Sequence, residues 1–151
     1  MIYIDIDGVC VDFVGTAKKF GVELEHNKFG VWKWNEPITP AEFYKVAELQ
    51  PWALKLIDAL CDDEFNFITM DYSAIKTKWL RNNSDMCYVW DYEAIEAPDK
   101  SAHCKHPADL LIDDNPAECQ RWRDKGGIAY HFDLADPDPF GKFLKWWRLG
   151  K

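Results

Sequence analysis

The chain has 151 residues, 48% hydrophobic and 29% charged, a composition that makes one globular domain and excludes disorder. With 26 acidic against 18 basic residues the formal net charge is −8, which argues against wrapping long nucleic acid or lying on an anionic membrane. A small phosphorylated ligand stays open, because a bound divalent cation reverses the sign of the local field.

Five scattered cysteines (Cys10, Cys61, Cys87, Cys104, Cys119) with no C-x-x-C read as reduced thiols of a cytoplasmic protein. The N-terminus has no basic segment followed by an apolar signal region, and no apolar stretch approaches the roughly 18 residues of a membrane span. Eight tryptophans supply core packing, a pocket for a planar ligand, or both.

Along the chain, short apolar runs alternate with amphipathic stretches. Ile2 to Ile6 reads as a buried strand ending on two carboxylates, Asp5 and Asp7. Thr39-Pro40-Ala41-Glu42 has the form of a helix start, with Thr39 as N-cap and Pro40 at the first helical position, and Pro51 as the stop. Ala53, Leu56, Ile57 and Leu60 repeat at helical spacing. Phe65 to Thr69 is a second strand, Ser73 caps a helix through Leu80, and Met86 to Trp90 makes a third strand. Leu110 to Ile112 is a fourth, again followed by two carboxylates, Asp113 and Asp114. A helix from Pro116 closes at Gly126-Gly127, Ile128 to Phe132 is the last strand, and Phe140 to Trp147 a terminal helix.

Strands separated by helices predict an α/β fold, a three-layer Rossmann-like parallel sheet of about five strands whose ligands bind beyond the carboxyl ends. Residues 15–50 are too long for a simple connection and carry Phe29, Trp32, Trp34, Phe43 and Tyr44. They read as a small, mostly helical cap inserted into a core of residues 1–14 and 51–151.

Acidic pairs end two strands whose carboxyl ends open on one edge of a parallel sheet. Carboxylates with backbone carbonyls make a hard oxygen site suited to Mg²⁺, and Gly8 lets the chain leave the strand sharply. Thr69 closes the second strand and Lys100 precedes the fourth. A nucleophile, a metal site, a hydroxyl and a cation are what phosphoryl transfer needs, since its transition state spreads negative charge over equatorial oxygens.

In these residues the chain resembles the haloacid dehalogenase-like (HAD) phosphatases: Asp5-Ile6-Asp7-Gly8-Val9, then Thr69, Lys100 and Ile112-Asp113-Asp114-Asn115, in order across nearly the whole chain. The resemblance implies that Asp5 is the nucleophile of an aspartyl-phosphate intermediate and that Asp7 protonates the leaving oxygen and then activates water. Thr69 and Lys100 would hold the phosphoryl group. Asp5, the Asp7 carbonyl, Asp113 and Asp114 would hold Mg²⁺. Asp-Gly-Val-Cys-Val-Asp-Phe, Lys78-Trp79-Leu80, Asn115-Pro116, Trp122 and Gly126-Gly127 are most similar to the 5′(3′)-deoxyribonucleotidase family. That likeness implies a nucleoside monophosphate substrate stacked on Phe13, Phe29, Trp32 or Trp34, and a monomer or homodimer.

Other readings stand beside these. The substrate could be another small phosphate ester or a nucleic-acid 3′-phosphate end, or the fold could bind Mg²⁺ or a partner without catalysis. Asp91 at the end of the third strand would suit a phosphate-receiver arrangement. Lys105 competes with Lys100 for the phosphate-binding role, and the cap aromatics serve equally well as packing. Cys10, just past an acidic pair, is a core residue and not a nucleophile, because the carboxylates raise its pKa. His103-Cys104-Lys105-His106 lacks paired ligands elsewhere and reads as a loop.

Overall fold

A computed structural model describes residues 1–21, 25–26, 32–33, 38–84 and 91–150, with 25–26 and 32–33 described through the backbone alone. Seven strands appear: β1 (Ile2–Asp5), β2 (Glu25–His26), β3 (Trp32–Lys33), β4 (Phe65–Thr69), β5 (Ile95–Glu96), β6 (Leu110–Asp113) and β7 (Ile128–His131). Six α-helices accompany them: α1 (Phe13–Lys19), α2 (Pro40–Val46), α3 (Ala53–Ala59), α4 (Ser73–Asn83), α5 (Pro116–Asp124) and α6 (Pro139–Arg148). A 3₁₀ turn spans Lys100–His103.

Five strands form one parallel sheet in the order β5-β4-β1-β6-β7, and β2 pairs antiparallel with β3. The sheet is the α/β architecture expected. β1 lies in the middle, Ile4 sitting opposite Phe67 on one side and Ile112 on the other. Strands covered on both faces must be apolar throughout, which is why Leu110–Asp113 is buried at every position. Alternation sorts the side chains: Phe65, Phe67, Leu110 and Ile112 join Leu56, Trp79 and Phe143 on one face. Ile68 and Leu111 meet Cys119 and Trp122 of α5 on the other. From β1 the chain winds one way to β4 and β5, then returns to place β6 on β1's free side. The crevice beyond β1 and β6 is therefore the switch point at which such sheets bind ligands.

Asp12, Asn115 and Asp138 cap α1, α5 and α6, each side chain accepting from a backbone N–H in the first turn. Thr39 caps α2 as its sequence foretells, Glu42 N–H donating to Thr39 Oγ1 at 3.2 Å. That helix ends at Val46, before Pro51, because Ala47 turns extended so that Leu49 can bridge to Val11.

Ser73 is the first residue of α4 and not its cap. The cap position is Tyr72 in the left-handed region at φ 51°, and Glu96 Oε1 takes the Ser73 N–H at 3.1 Å. The strand expected at Met86–Trp90 lies outside the described residues, while β5 is a two-residue strand that the sequence pattern does not mark. The segment 15–50 contributes most of α1, the β2–β3 ladder and α2, and Phe43 and Tyr44 from α2 join the main core. No helix among the described residues is long and apolar enough to cross a membrane.

Candidate active site

The site begins where β1 stops. Ile6 accepts from the N–H groups of Cys10 and Val11, both at 2.9 Å, and Gly8 N–H returns to Val11 O at 2.9 Å. Gly8 makes this reversal at φ 87°, and a Cβ there would lie 2.3 Å from Asp114 Oδ2. Glycine is required twice over, by the backbone conformation and by the carboxylate packed against it.

Asp5, Asp113 and Asp114 each offer an oxygen, all within 4.8 Å of one another. Lys100 Nζ lies 2.7 Å from Asp5 Oδ1 and 2.7 Å from Asp113 Oδ2, and all three side chains are buried. The 3₁₀ turn delivers this lysine, with Asp99 Oδ1 accepting from the Ser101 N–H at 3.1 Å and hydroxyl at 2.6 Å. Burial works against the Lys100 charge, but Asp113 and Asp5 outweigh it and push its pKa up.

The acids respond in the opposite sense. Burial first, then Asp113, raises the Asp5 carboxyl to about 7 despite the neighbouring ammonium. Burial, then Asp5 and Asp113, lifts Asp114 well above the usual range, and Asp114 shares a hydrogen bond with Asp5. Two carboxylates in that relation need a shared proton or a cation between them. Three hard oxygen donors at this spacing fit Mg²⁺.

The backbone behind the acids is also tied down. Cys10 Sγ reaches Asp5 O at 3.6 Å, Cys119 Sγ reaches Asp113 O at 3.6 Å, and His131 Nε2 lies 3.0 Å from Asp114 O. Burial, with Asp5 and Asp7 beside it, raises the Cys10 thiol, and burial with Asp113 pushes Cys119 up to about 12. Both are inert donors, in keeping with the packing role read for Cys10.

Asp7 turns away from this cluster to a second one. Its Oδ2 pairs with Lys76 Nζ at 2.7 Å, and its Oδ1 accepts from the Tyr44 hydroxyl. Lys76 Nζ also donates to Thr69 Oγ1 at 2.7 Å and Asp71 Oδ1 at 2.8 Å. Asp7 and Asp71 together hold the Lys76 pKa up against its burial.

A cavity of about 270 Å³ joins the two clusters, lined by Asp5, Asp7, Thr69, Lys76, Lys100, Asp113 and Asp114. The structure therefore brings Asp5, Asp7, Thr69, Lys100, Asp113 and Asp114 to one cavity. Phe13 also lines the cavity, yet it is buried with its ring 4.8 Å from that of Phe43, a core contact as much as a wall. Phe29 and Trp34 lie outside the described residues. Of Trp32 only the backbone is described, paired with His26. Lys105 is exposed, its N–H spent on Asp109 Oδ2 at 2.9 Å, so Lys100 is the lysine at the carboxylates. Asp91 is exposed and does not line the cavity.

Three residues here escaped sequence reasoning: Lys76, Tyr44 and Asp71. Lys76 carried one signal. It sits near the start of α4, where the helix dipole disfavours a cation, and the first turn offers no acidic residue to compensate.

A solved haloacid dehalogenase-like family hydrolase from Streptococcus pneumoniae is similar to this chain with a TM-score of 0.58 and 16% identity. The likeness covers 99% of this chain and 97% of that one. At that identity it shows the fold alone: the chain shares the α/β fold of that hydrolase. No protein-family model matches the chain, and no curated protein matches it.

Proposed function

We propose that the protein is a Mg²⁺-dependent phosphomonoesterase of HAD type, acting through an aspartyl-phosphate on Asp5 and taking a small ester, a deoxyribonucleoside monophosphate by preference. One observation carries the reading: one cavity is lined by both the Asp5–Lys100–Asp113–Asp114 cluster and the Thr69–Lys76–Asp7 cluster. Phosphoryl transfer is mostly positioning and charge neutralisation, and those clusters supply both.

In this scheme Asp5 attacks phosphorus while Asp7 gives its proton to the departing ester oxygen, releasing the alcohol. A water then attacks the aspartyl-phosphate as Asp7 takes its proton back, restoring Asp5 and freeing inorganic phosphate. Thr69 and Lys100, with Lys76 beside them, would hold phosphoryl oxygens, and Lys100 would also keep Asp5 oriented and partly neutralised. Asp5, Asp113 and Asp114 would hold Mg²⁺, which when bound would supply positive charge to offset the phosphoryl oxygens. Residues 15–50 serve as the cap over the cavity, and the nucleoside preference rests on its aromatics. Another phosphate ester, or a nucleic-acid 3′-phosphate end, would use the same chemistry.

The test is phosphate release from nucleoside monophosphates, sugar phosphates and a 3′-phosphorylated oligonucleotide, with Mg²⁺ and with EDTA. Mg²⁺-dependent release, lost in a folded Asp5→Asn variant, supports the reading. Release from none of them by folded protein overturns it.

A further inference from the structure

The best-constrained group in the cavity that the scheme leaves without a task is the Tyr44 hydroxyl. Tyr44 belongs to α2, in the segment inserted after β1, yet its hydroxyl is bonded to Asp7 Oδ1 across 37 residues of sequence. Its ring is buried between neighbours: Phe43 edge-on at 5.1 Å, Trp79 edge-on at 6.4 Å, and Lys76 Nζ 5.9 Å from the ring centre. The chain after α2 is anchored just as firmly. Trp79 Nε1 donates to Ala47 O at 3.1 Å, Gln50 N–H to Cys10 O at 2.8 Å, and Gln50 Nε2 to Gly8 O at 2.9 Å. Asp12 N–H closes the circle on Glu48 O at 2.9 Å. Tyr44 is thus fixed independently of Asp7, whereas Asp7 is half-buried at the cavity edge, its Oδ2 on Lys76 and its Oδ1 on Tyr44.

We propose that Tyr44 is the positioning residue of acid–base transfer: by holding Asp7 Oδ1 it selects Oδ2, the oxygen beside Lys76 and Thr69, as the one that exchanges the proton with the substrate. The assignment rests on the phosphatase reading and adds to it. In this contact the Tyr44 hydroxyl is the donor and Asp7 Oδ1 the acceptor. Lys76, bound to Oδ2 and to Thr69 Oγ1 together, sits where an arriving phosphoryl group would draw it off Asp7 and leave Oδ2 facing the ester oxygen. The inserted segment then contributes to the chemistry itself as well as covering it.

Leaving-group dependence separates this role from mere packing. A p-nitrophenolate departs without a proton and an alkoxide does not, so misplacing Asp7 penalises alkyl esters selectively. Tyr44→Phe keeps the ring and removes only the hydroxyl. We expect its kcat/KM to fall ~30-fold or more for an alkyl phosphate and only ~3-fold for p-nitrophenyl phosphate, with KM nearly constant for both. Phe43→Leu, which loosens the same helix without touching the hydrogen bond, should lower both esters by one factor. Equal losses on the two esters in Tyr44→Phe, or no loss on either, overturn the assignment while leaving the phosphatase reading intact. A folded wild-type protein silent on both esters and on the nucleotide, sugar-phosphate and oligonucleotide panel overturns that reading and the assignment with it.

Discussion

Replacing Lys100 by methionine keeps most of the side-chain volume and removes the charge from the centre of the site. Lys100 is 3% exposed and its ammonium makes two 2.7 Å contacts, to Asp5 and Asp113, so its loss strands buried carboxylates. Breaking a buried ion pair from one side costs about 3–5 kcal/mol, roughly 6–20 °C in Tm for a domain of this size. The loss depends on pH in a definite direction. The Asp5 carboxyl is raised to about 7 in the fold, above its unfolded value of about 4. Its contribution to stability is therefore fully present below about pH 4 and is lost as pH rises through about 7. Removing Lys100 raises that carboxyl further, and each added unit costs about 1.4 kcal/mol once the pH exceeds it. Lys100 itself stays charged throughout this range. Denaturant melts in EDTA should show Lys100→Met far less stable than wild type at pH 8 and much closer to it at pH 5. Equal deficits at the two pH values, or a deficit below about 1 kcal/mol at pH 8, would refute the claim that this lysine neutralises the buried acids.

Gly8→Ala forces a side chain into the left-handed region and toward the Asp114 carboxylate 2.3 Å away. Stability should fall by about 1–3 kcal/mol and phosphate release almost vanish; a variant as active as wild type would show that Asp114 tolerates displacement. Lys76→Met removes the cation shared by Asp7, Asp71 and Thr69. Competitive inhibition by inorganic phosphate should then weaken about tenfold or more, and an unchanged inhibition constant would confine Lys76 to the two carboxylates.

What could be read from the sequence has a common cause. β1, β4 and β6 are short apolar runs because both of their faces are covered, and a polar residue at the end of such a run stands out. Asp5, Thr69, Asp113 and Asp114 were legible for that reason, and the order of these residues led to Lys100. Tyr44 was invisible as a site residue because its ring does what any core aromatic does, while its hydroxyl finds a partner 37 residues away. Lys76 follows no apolar period, and β5 is too short to show one. At Ser73 a local cap signal lost to tertiary structure: Tyr72 takes the cap position in the left-handed region, and Glu96 from the neighbouring strand accepts the Ser73 N–H. Local patterns thus located the strand ends, and long-range contacts decided which other side chains meet there.

The charge of the cavity sets a condition on its use. Among the described residues, Asp5, Asp7, Asp71, Asp113 and Asp114 line it against Lys76 and Lys100, while Glu118 is neutralised by Arg121. A phosphate dianion entering such a site meets net repulsion, about 3 kcal/mol for each uncompensated unit pair near 5 Å at an effective dielectric constant of 20. Either protons or a divalent cation must remove that excess, and at pH 8 protons are scarce. Cation and phosphate must therefore bind cooperatively, and linkage requires each to tighten the other by the same factor. Calorimetric titration of inorganic phosphate at pH 8 should show binding with Mg²⁺ and roughly tenfold or greater weakening in EDTA, with the reciprocal gain in Mg²⁺ affinity when phosphate is present. Phosphate bound equally tightly in EDTA would mean that the two lysines suffice, and that the three clustered carboxylates serve some purpose other than holding a cation for the phosphoryl group.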